Sequence, residues 1–288
     1  KILKQGGIKV VSFLGLAVLL VISQNIVGIS LASMFNLEPL LGLCTASIPM
    51  IGGHGTAGSF GPLLESMGVN GATTVSIASA TFGLIMGSLV GGFVARGLIH
   101  NHKIKTIHDE NSTIPPEEVG DYNEENTNIL SLKRLITWSS FLFIAMGFGS
   151  IISDFIQKTG LTFPSYIGAM LAAAIIRNIY DFTGKEVVEK EIETLGSLSL
   201  SFFLTMALMG LKLWQLFDLA LPLMVMLIAQ VLLVGLFAYI VTYRVMGKNY
   251  EAVVFASATC GFGMGATPNA IANMDELTNR YGFVHTPY

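Results

Sequence analysis
Stretches long and apolar enough to cross a lipid bilayer recur along this chain, at Ile8–Ser33, Ala72–Ile99, Leu135–Ile156, Phe163–Tyr180, Leu195–Trp214 and Leu219–Tyr243. A helix needs roughly 20 such residues to span the hydrocarbon core, so each stretch predicts a transmembrane helix. The overall balance points the same way. Hydrophobic residues make up 52% of the chain and charged residues 12%, where a soluble domain carries roughly 25% charged residues. The expected protein is all-α and polytopic, with the lipid bilayer as its surroundings. A net charge of −3, with the basic residues at helix ends rather than in a patch, implies no nucleic-acid partner.

The same basic residues orient the spans, because Lys and Arg are retained on the cytoplasmic side. With the amino end inside, only Lys158 and Lys212 fall outside, and the other 14 of the 16 basic residues are cytoplasmic. That assignment requires two further apolar segments to enter and leave the membrane on one side. Glu38–Ile51 would reach only roughly 21 Å as a helix, too short to cross. It runs into Gly52-Gly53-His54-Gly55-Thr56 and a short limb to Met67, and is expected to enter from outside. Tyr250–Thr259 runs into Cys260-Gly261-Phe262-Gly263-Met264-Gly265-Ala266-Thr267-Pro268, then Asn269–Thr278, and is expected to enter from the cytoplasm. The polar stretch His100–Ser131, with Pro115-Pro116 and seven acidic residues between Asp109 and Glu125, reads as a flexible cytoplasmic linker. Glu186–Glu193 reads as an interfacial helix with a solvated charged face. Cys44 and Cys260, set in apolar or glycine-rich surroundings, read as packed free thiols with no redox role.

An order of parts recurs on either side of the linker: a long apolar helix, a short polar turn, a short limb, a glycine-rich break and a second limb, facing opposite sides of the membrane. Inverted-topology repeats of this kind build binding sites near the midplane, where the broken helices meet. Residues 1–99 then hold the end of a first repeat, 100–131 the linker, and 132–288 a second repeat. Matching the parts predicts two inverted repeats of five transmembrane helices, each with a broken or re-entrant segment. The chain is expected to be truncated at both ends, lacking three spans before Ile8 and one after Tyr281. It starts at Lys1 rather than Met, and its first apolar stretch is too long for a cleavable signal peptide.

Unpaired backbone within a membrane is tolerated only where it meets protein, water or a ligand. Gly52, Gly53 and Gly55, and Gly261, Gly263 and Gly265, are expected to supply such backbone and to let a substrate approach. Freed amides at a limb's start suit a carboxylate, and freed carbonyls at a limb's end suit a bare cation. The competing reading of either cluster is tight helix packing; two clusters at corresponding positions favour a site. His54 is the favoured carboxylate donor, against a buried histidine bonded to backbone. Thr56 closes the first break. Thr267 precedes Pro268 at a helix start, and Asn269 and Asn273 share one face of the second limb, either as ligands or as a self-satisfied helix end. Gly83, Gly87 and Gly91 form a close-packing stripe. Gln24 and Asn25, deep in the first span, read as interhelical hydrogen bonds. No Asp or Glu lies mid-span, so the carboxylate relay of a proton-driven carrier is missing from these spans and sodium coupling is favoured.

The Gly52–Thr56 break resembles that of the bacterial sodium/glutamate symporter family. So do the run from Phe202 through Gly210 to Trp214, the Met246-Gly247-Lys248-Asn249-Tyr250 turn, and Cys260–Pro268 with Ile271-Ala272-Asn273-Met274. The resemblance covers the chain except the linker. It implies sodium-driven uptake of L-glutamate across the bacterial inner membrane; the residue reading places the sodium on backbone carbonyls near Gly52–Thr56 and Gly261–Thr267, with no other cofactor. The resemblance also implies a ten-span inverted-repeat fold and a homodimer. Spacing alone reaches only an anion-friendly and cation-friendly site, so a carrier of a dicarboxylate or hydroxy acid is the alternative. An ion channel and an intramembrane hydrolase using His54 with Ser59 or Ser47 complete the set. The hydrolase would need a nucleophile, a base and an orienting partner in mutual reach, and the protein is therefore not expected to be an enzyme.

Overall fold
The computed structural model describes residues 2–104, 131–158, 166–182, 189–209, 219–282 and 284. Among them there is no strand. The helices in chain order are α1 (Ile2–Met34), α2 (Ser47–Met50), α3 (Gly53–Ser66), α4 (Ala72–His102), α5 (Leu132–Lys158), α6 (Tyr166–Phe182), α7 (Glu189–Met209), α8 (Ala220–Leu236), α9 (Tyr250–Met264) and α10 (Thr267–Tyr281). A 3₁₀ stretch, Pro39–Thr45, precedes α2, and α8 continues through a π-helical stretch, Phe237–Thr242, to Val245. Most of the expected linker lies outside the described residues, as do Lys105, Lys185 and Lys212.

Four of the six expected spans are long and apolar enough to cross a membrane: Lys9–Met34, Ala72–His102, Leu132–Lys158 and Ala220–Val245. The first is set off from the start of α1 by Gly7, whose backbone leaves the helical region. The helix answering to Phe163–Tyr180 is described for 17 residues from Tyr166, and that answering to Leu195–Trp214 is described to Met209. Side chains such as Leu14, Phe93, Phe143, Phe155 and Leu221 are more than half exposed, which in a bilayer is contact with lipid tails.

The chain forms two compact units, Lys1–Pro115 with Leu211–Tyr288, and Pro116–Gly210. The first joins α1–α4 to α8–α10, so elements from the two ends of the sequence share one core that includes Leu20, Met50, Val75, Leu98, Val234, Val253 and Met264. Four of its helices close alike, with an amide bonded to the carbonyl five residues back: Leu37 to Ala32, Val69 to Leu64, Ile104 to Ile99 and Lys248 to Tyr243. Each closing turn places the preceding residue, Asn36, Gly68, Lys103 or Gly247, in the left-handed region. Gly28 and Gly42 face each other so closely that a Cβ on either would lie within 2.4 Å of the other's carbonyl oxygen, which presses the 3₁₀ stretch onto α1.

In the second unit α5 and α6 meet through Gly149 and Gly168, where a Cβ on Gly168 would lie 2.1 Å from the Gly149 oxygen. Trp138, Phe141 and Tyr180 cluster with ring centroids 5.4–6.0 Å apart. Glu191 departs from the expected solvated face: it is 1% exposed and pairs with Arg134 Nε at 2.8 Å. The guanidinium offsets part of the cost of taking this carboxylate out of water.

Candidate functional site
The segment after α8 is a hairpin that returns to its own start. Asn249 caps α9, its Oδ1 accepting from the Ala252 amide at 2.9 Å. Tyr250 at the head of α9 donates its hydroxyl to Leu277 O at 3.2 Å and Gly282 O at 2.9 Å, at the far end of α10. Two limbs of 15 residues each thus begin and end together. Their tip is shorter than expected from the sequence. Regular helix runs through Cys260, Gly261, Phe262 and Gly263 to Met264, and only Gly265 (φ −125°, ψ −86°) and the extended Ala266 leave it. Gly261 and Gly263 therefore lie in regular helix rather than in unwound chain; the Gly261 carbonyl accepts the Gly265 and Ala266 amides, and the Gly263 carbonyl, in the last turn, is taken by a side chain.

Their lack of a side chain is what the fold uses. A Cβ on Gly261 would lie 2.6 Å from Asn269 O, and one on Gly263 2.9 Å from Leu20 Cδ2 and 3.0 Å from Val234 Cγ1. The stripe on α4 works likewise. A Cβ on Gly83 would lie 2.1 Å from Met264 O, and one on Gly87 3.3 Å from Cys260 O. One on Gly91 would lie 2.2 Å from Asn273 Nδ2. The expected close-packing face is present, and what packs on it is the second break.

At the first break the short α2 ends at Met50 and α3 begins at Gly53. Gly53 takes φ +62°, a region that favours glycine, whereas Gly52 (φ −79°) is helical and Gly55 lies inside α3. Gly52 and Gly55 are exposed while Gly53 and His54 are buried. A Cβ on Gly52 would meet the Thr56 side chain at 2.4 Å, and one on Gly55 would meet open space. His54 Nε2 lies 3.0 Å from Thr81 Oγ1. That hydroxyl donates to Ile77 O at 3.0 Å, so the ring nitrogen is the donor and His54 ties α3 to α4.

The two breaks meet. An ideal Cβ on Gly53 would sit 3.3 Å from Gly265 O and 3.8 Å from the Ala266 Cβ. The carboxyl ends of α2 and α9 and the amino ends of α3 and α10 therefore come to one place. Helix starts present unpaired amides to an anion and helix ends present unpaired carbonyls to a cation. Thr267 opens α10 with Pro268 in its first turn. Asn269 Nδ2 donates to Leu84 O at 2.8 Å, and Asn273 Nδ2 to Gly87 O and Ser257 O, both at 3.1 Å. Both amide nitrogens thus fasten the hairpin to α4 or to itself.

Gln24 and Asn25 form the interhelical bonds expected of them, and each supports one break. Gln24 Nε2 donates to Gly263 O at 2.8 Å, and Asn25 Oδ1 accepts from Ser47 Oγ at 2.7 Å and from the Ser47 amide at 3.3 Å. Sequence reading missed Gln230, whose Nε2 donates to Gln24 O at 2.9 Å, and Thr81. The signal for Gln230 was a primary amide in the middle of an otherwise apolar span. Ser47 and Ser59 are both committed elsewhere, Ser59 Oγ to Gly55 O at 3.1 Å, and His54 to Thr81. No nucleophile and base are paired here. Cys44 and Cys260 are buried free thiols.

The sequence profile of the sodium/glutamate symporter family matches residues 1–283. The sodium/glutamate symporter of Escherichia coli (strain K12) is 40% identical over 289 residues, which covers 99% of this chain and 71% of that protein. The sodium/glutamate symporter of Haemophilus influenzae is 36% identical over 286 residues, covering 99% of this chain and 70% of that protein. No solved structure matches the chain. With a family profile and relatives that cover nearly all of it, this chain belongs to the sodium/glutamate symporter family.

Proposed function
We propose that the protein carries L-glutamate across the bacterial inner membrane together with sodium, by alternating access, at a site between the Gly52–Thr56 and Gly265–Thr267 breaks. What carries this reading is the approach of Gly53 to Gly265 and Ala266 from hairpins about 200 residues apart. The substrate carboxylates would meet the amino ends of α3 and α10, with His54, Thr267, Asn269 and Asn273 around them. Sodium would meet the carbonyl ends of α2 and α9. Sodium acts here as co-transported ion, and no further cofactor is called for. The relatives' names supply glutamate and sodium as the transported pair.

The finer architecture is part of the proposal: two inverted repeats, divided at residues 1–99, 100–131 and 132–288, a cytoplasmic linker and a homodimer. Three contacts support the grouping of segment ends on common sides that this orientation uses. Lys9 pairs with Glu251, and Asn101 donates to the Tyr239 hydroxyl at 3.0 Å. These join residues assigned to the inside. Glu65 Oε1, assigned to the outside, accepts the Thr73 amide at 3.1 Å. A cysteine near Gly68 should be labelled from outside intact cells and one near Asp121 should not; the reverse pattern would overturn the orientation.

Reconstituted in liposomes, the protein should accumulate labelled glutamate when sodium is high outside. Equal accumulation driven by a proton gradient in sodium-free buffer would refute the coupling. Stronger competition by a dicarboxylate or hydroxy acid than by glutamate would reassign the substrate.

A further inference from the structure
Gly263 is clamped by two helices that use the same pair of positions. Leu20 and Gln24 lie four residues apart on α1, and Gln230 and Val234 four apart on α8, so each pair shares a helix face. Leu20 and Val234 close over the Gly263 Cα, while Gln24 Nε2 binds Gly263 O and Gln230 Nε2 binds Gln24 O. All four side chains are fully buried. Each amide nitrogen is fixed by the carbonyl it meets, and flipping either amide would set oxygen against oxygen. The two Oε1 atoms are thereby fixed as well, and neither has a hydrogen-bond partner.

Helix clamping uses only the NH₂ groups. It leaves two acceptor oxygens dehydrated with nothing in return, an arrangement that native interiors avoid unless a ligand or water completes it. The ligand class that amide oxygens and helix-end carbonyls have in common is a cation. They are hard, neutral oxygen donors, the type that replaces the hydration shell of a monovalent ion. Among the described residues no group of three His, Cys, Asp or Glu side chains is gathered that could hold a metal ion. Glu251, on the same helix as Gly263, is twelve residues away, about 18 Å along the axis. Nothing named here offers the negative charge that a divalent ion needs.

We propose that Gln24 Oε1 and Gln230 Oε1 are ligands of a sodium ion bound against the carboxyl end of α9. The site rests on the sodium-coupled reading above and adds to it ligands outside both glycine breaks. Its position explains how a cation reaches the second break. Sodium would draw α1 and α8 onto the residue two before Gly265, and so hold the hairpin tip against Gly53. Amides do not titrate, so the site itself would be indifferent to pH.

The test uses the protein purified in detergent and reconstituted in liposomes, with wild type, Gln24→Met, Gln230→Met and Gln230→Glu. The probe is sodium chloride against choline chloride at matched ionic strength. Wild type should show a sodium-dependent rise in melting temperature without glutamate. Loss of a ligand in either Met variant should raise the half-saturating sodium concentration for uptake by about tenfold or more and remove the sodium-dependent melting shift. Gln230→Glu loses the same donated hydrogen bond but keeps its oxygens. It should retain or lower the sodium requirement, with a new pH dependence.

A purely structural clamp would lower the melting temperature alike in the Met and Glu variants and leave the sodium requirement at its wild-type value, which would overturn the site. A bridging water only would give the same unchanged requirement. If the Met variants fail to fold, Gln230→Glu decides: an unaltered sodium requirement with no pH dependence refutes the proposal. Wild-type uptake that ignores sodium would refute the transport reading itself, a result distinct from either.

Discussion

At the first break the chain turns at Gly53, whose φ of +62° strains other residues, and Gly52 and Gly55 beside it stand exposed. At the second break the chain turns at Gly265 and Ala266 with no residue in the left-handed region. Its flanking glycines sit inside a helix buried from Tyr250 to Met264 on almost every side. One break uses glycine for the backbone conformation it allows, the other for the side chain it lacks. The first tip is open and the second is enclosed by α1, α4 and α8, so the open side of a shared site is the α3 side. A glycine cluster in a membrane segment therefore does not by itself announce unwound backbone.

The largest test of that contrast lies on α4. Gly83→Val should abolish recovery of folded, monodisperse protein, because its Cβ would lie 2.1 Å from the backbone oxygen of Met264, which cannot swing aside. Gly92→Val, one helix face away with nothing within 4 Å, should behave as wild type in the same size-exclusion assay. Equal recovery of both variants would break the claim that the second hairpin is seated on the stripe.

A crossed pair of substitutions separates conformation from space. Gly53→Ala should cost about 1–2 kcal/mol, the penalty of the left-handed region for an ordinary residue, and Gly53→Asn should cost less, since Asn visits that region. At Gly263 the order should invert. Ala would press on two movable side-chain ends, Leu20 and Val234, for about 1–3 kcal/mol, and the larger Asn should cost more. Melting temperatures of the four variants that rank alike at both positions would show that the breaks do not differ in kind.

His54 divides stability from binding. Losing its bond to Thr81 should cost about 0.5–1.5 kcal/mol, and Thr81→Val should cost a similar amount by melting temperature. If His54 turns its N–H from Thr81 to the substrate, His54→Ala alone should raise the glutamate concentration for half-maximal uptake, by about tenfold or more. Equal glutamate requirements in the two variants would confine His54 to packing.

The smallest effect is expected at Gly55. It is helical and a Cβ there meets open space, so Gly55→Ala should leave the fold intact or raise its stability by up to about 1 kcal/mol. Lower stability would contradict the open first break.

Much of this was legible along the chain. Ala72–Ile99 falls within an observed helix and Leu219–Tyr243 begins one residue before one, because membrane crossing is decided by length and hydropathy, both local properties. The start of α10 at Thr267-Pro268 was readable for the same reason, since Pro at the first turn needs no amide partner. Gly261 and Gly263 were expected in unwound chain and lie in helix. Glycine composition is compatible with an unwound chain and with a tightly packed helix, and only the neighbours distinguish them. That Asn269 and Asn273 share a face was predicted from four-residue spacing; that the face is seated on Leu84 O and Gly87 O, on a helix about 185 residues away, was not.

What the sequence by itself determined is that the chain is helical and which stretches are long and apolar enough to cross a bilayer. Apolar length, capping residues and glycine act on the stretch that contains them. Only the tertiary structure decided that the two breaks touch, that Gly83, Gly87 and Gly91 receive the second one, and that Gln24 binds Gly263 while Gln230 binds Gln24. Those outcomes depend on which helix faces pack together, and packing sums contacts between residues that no local pattern relates.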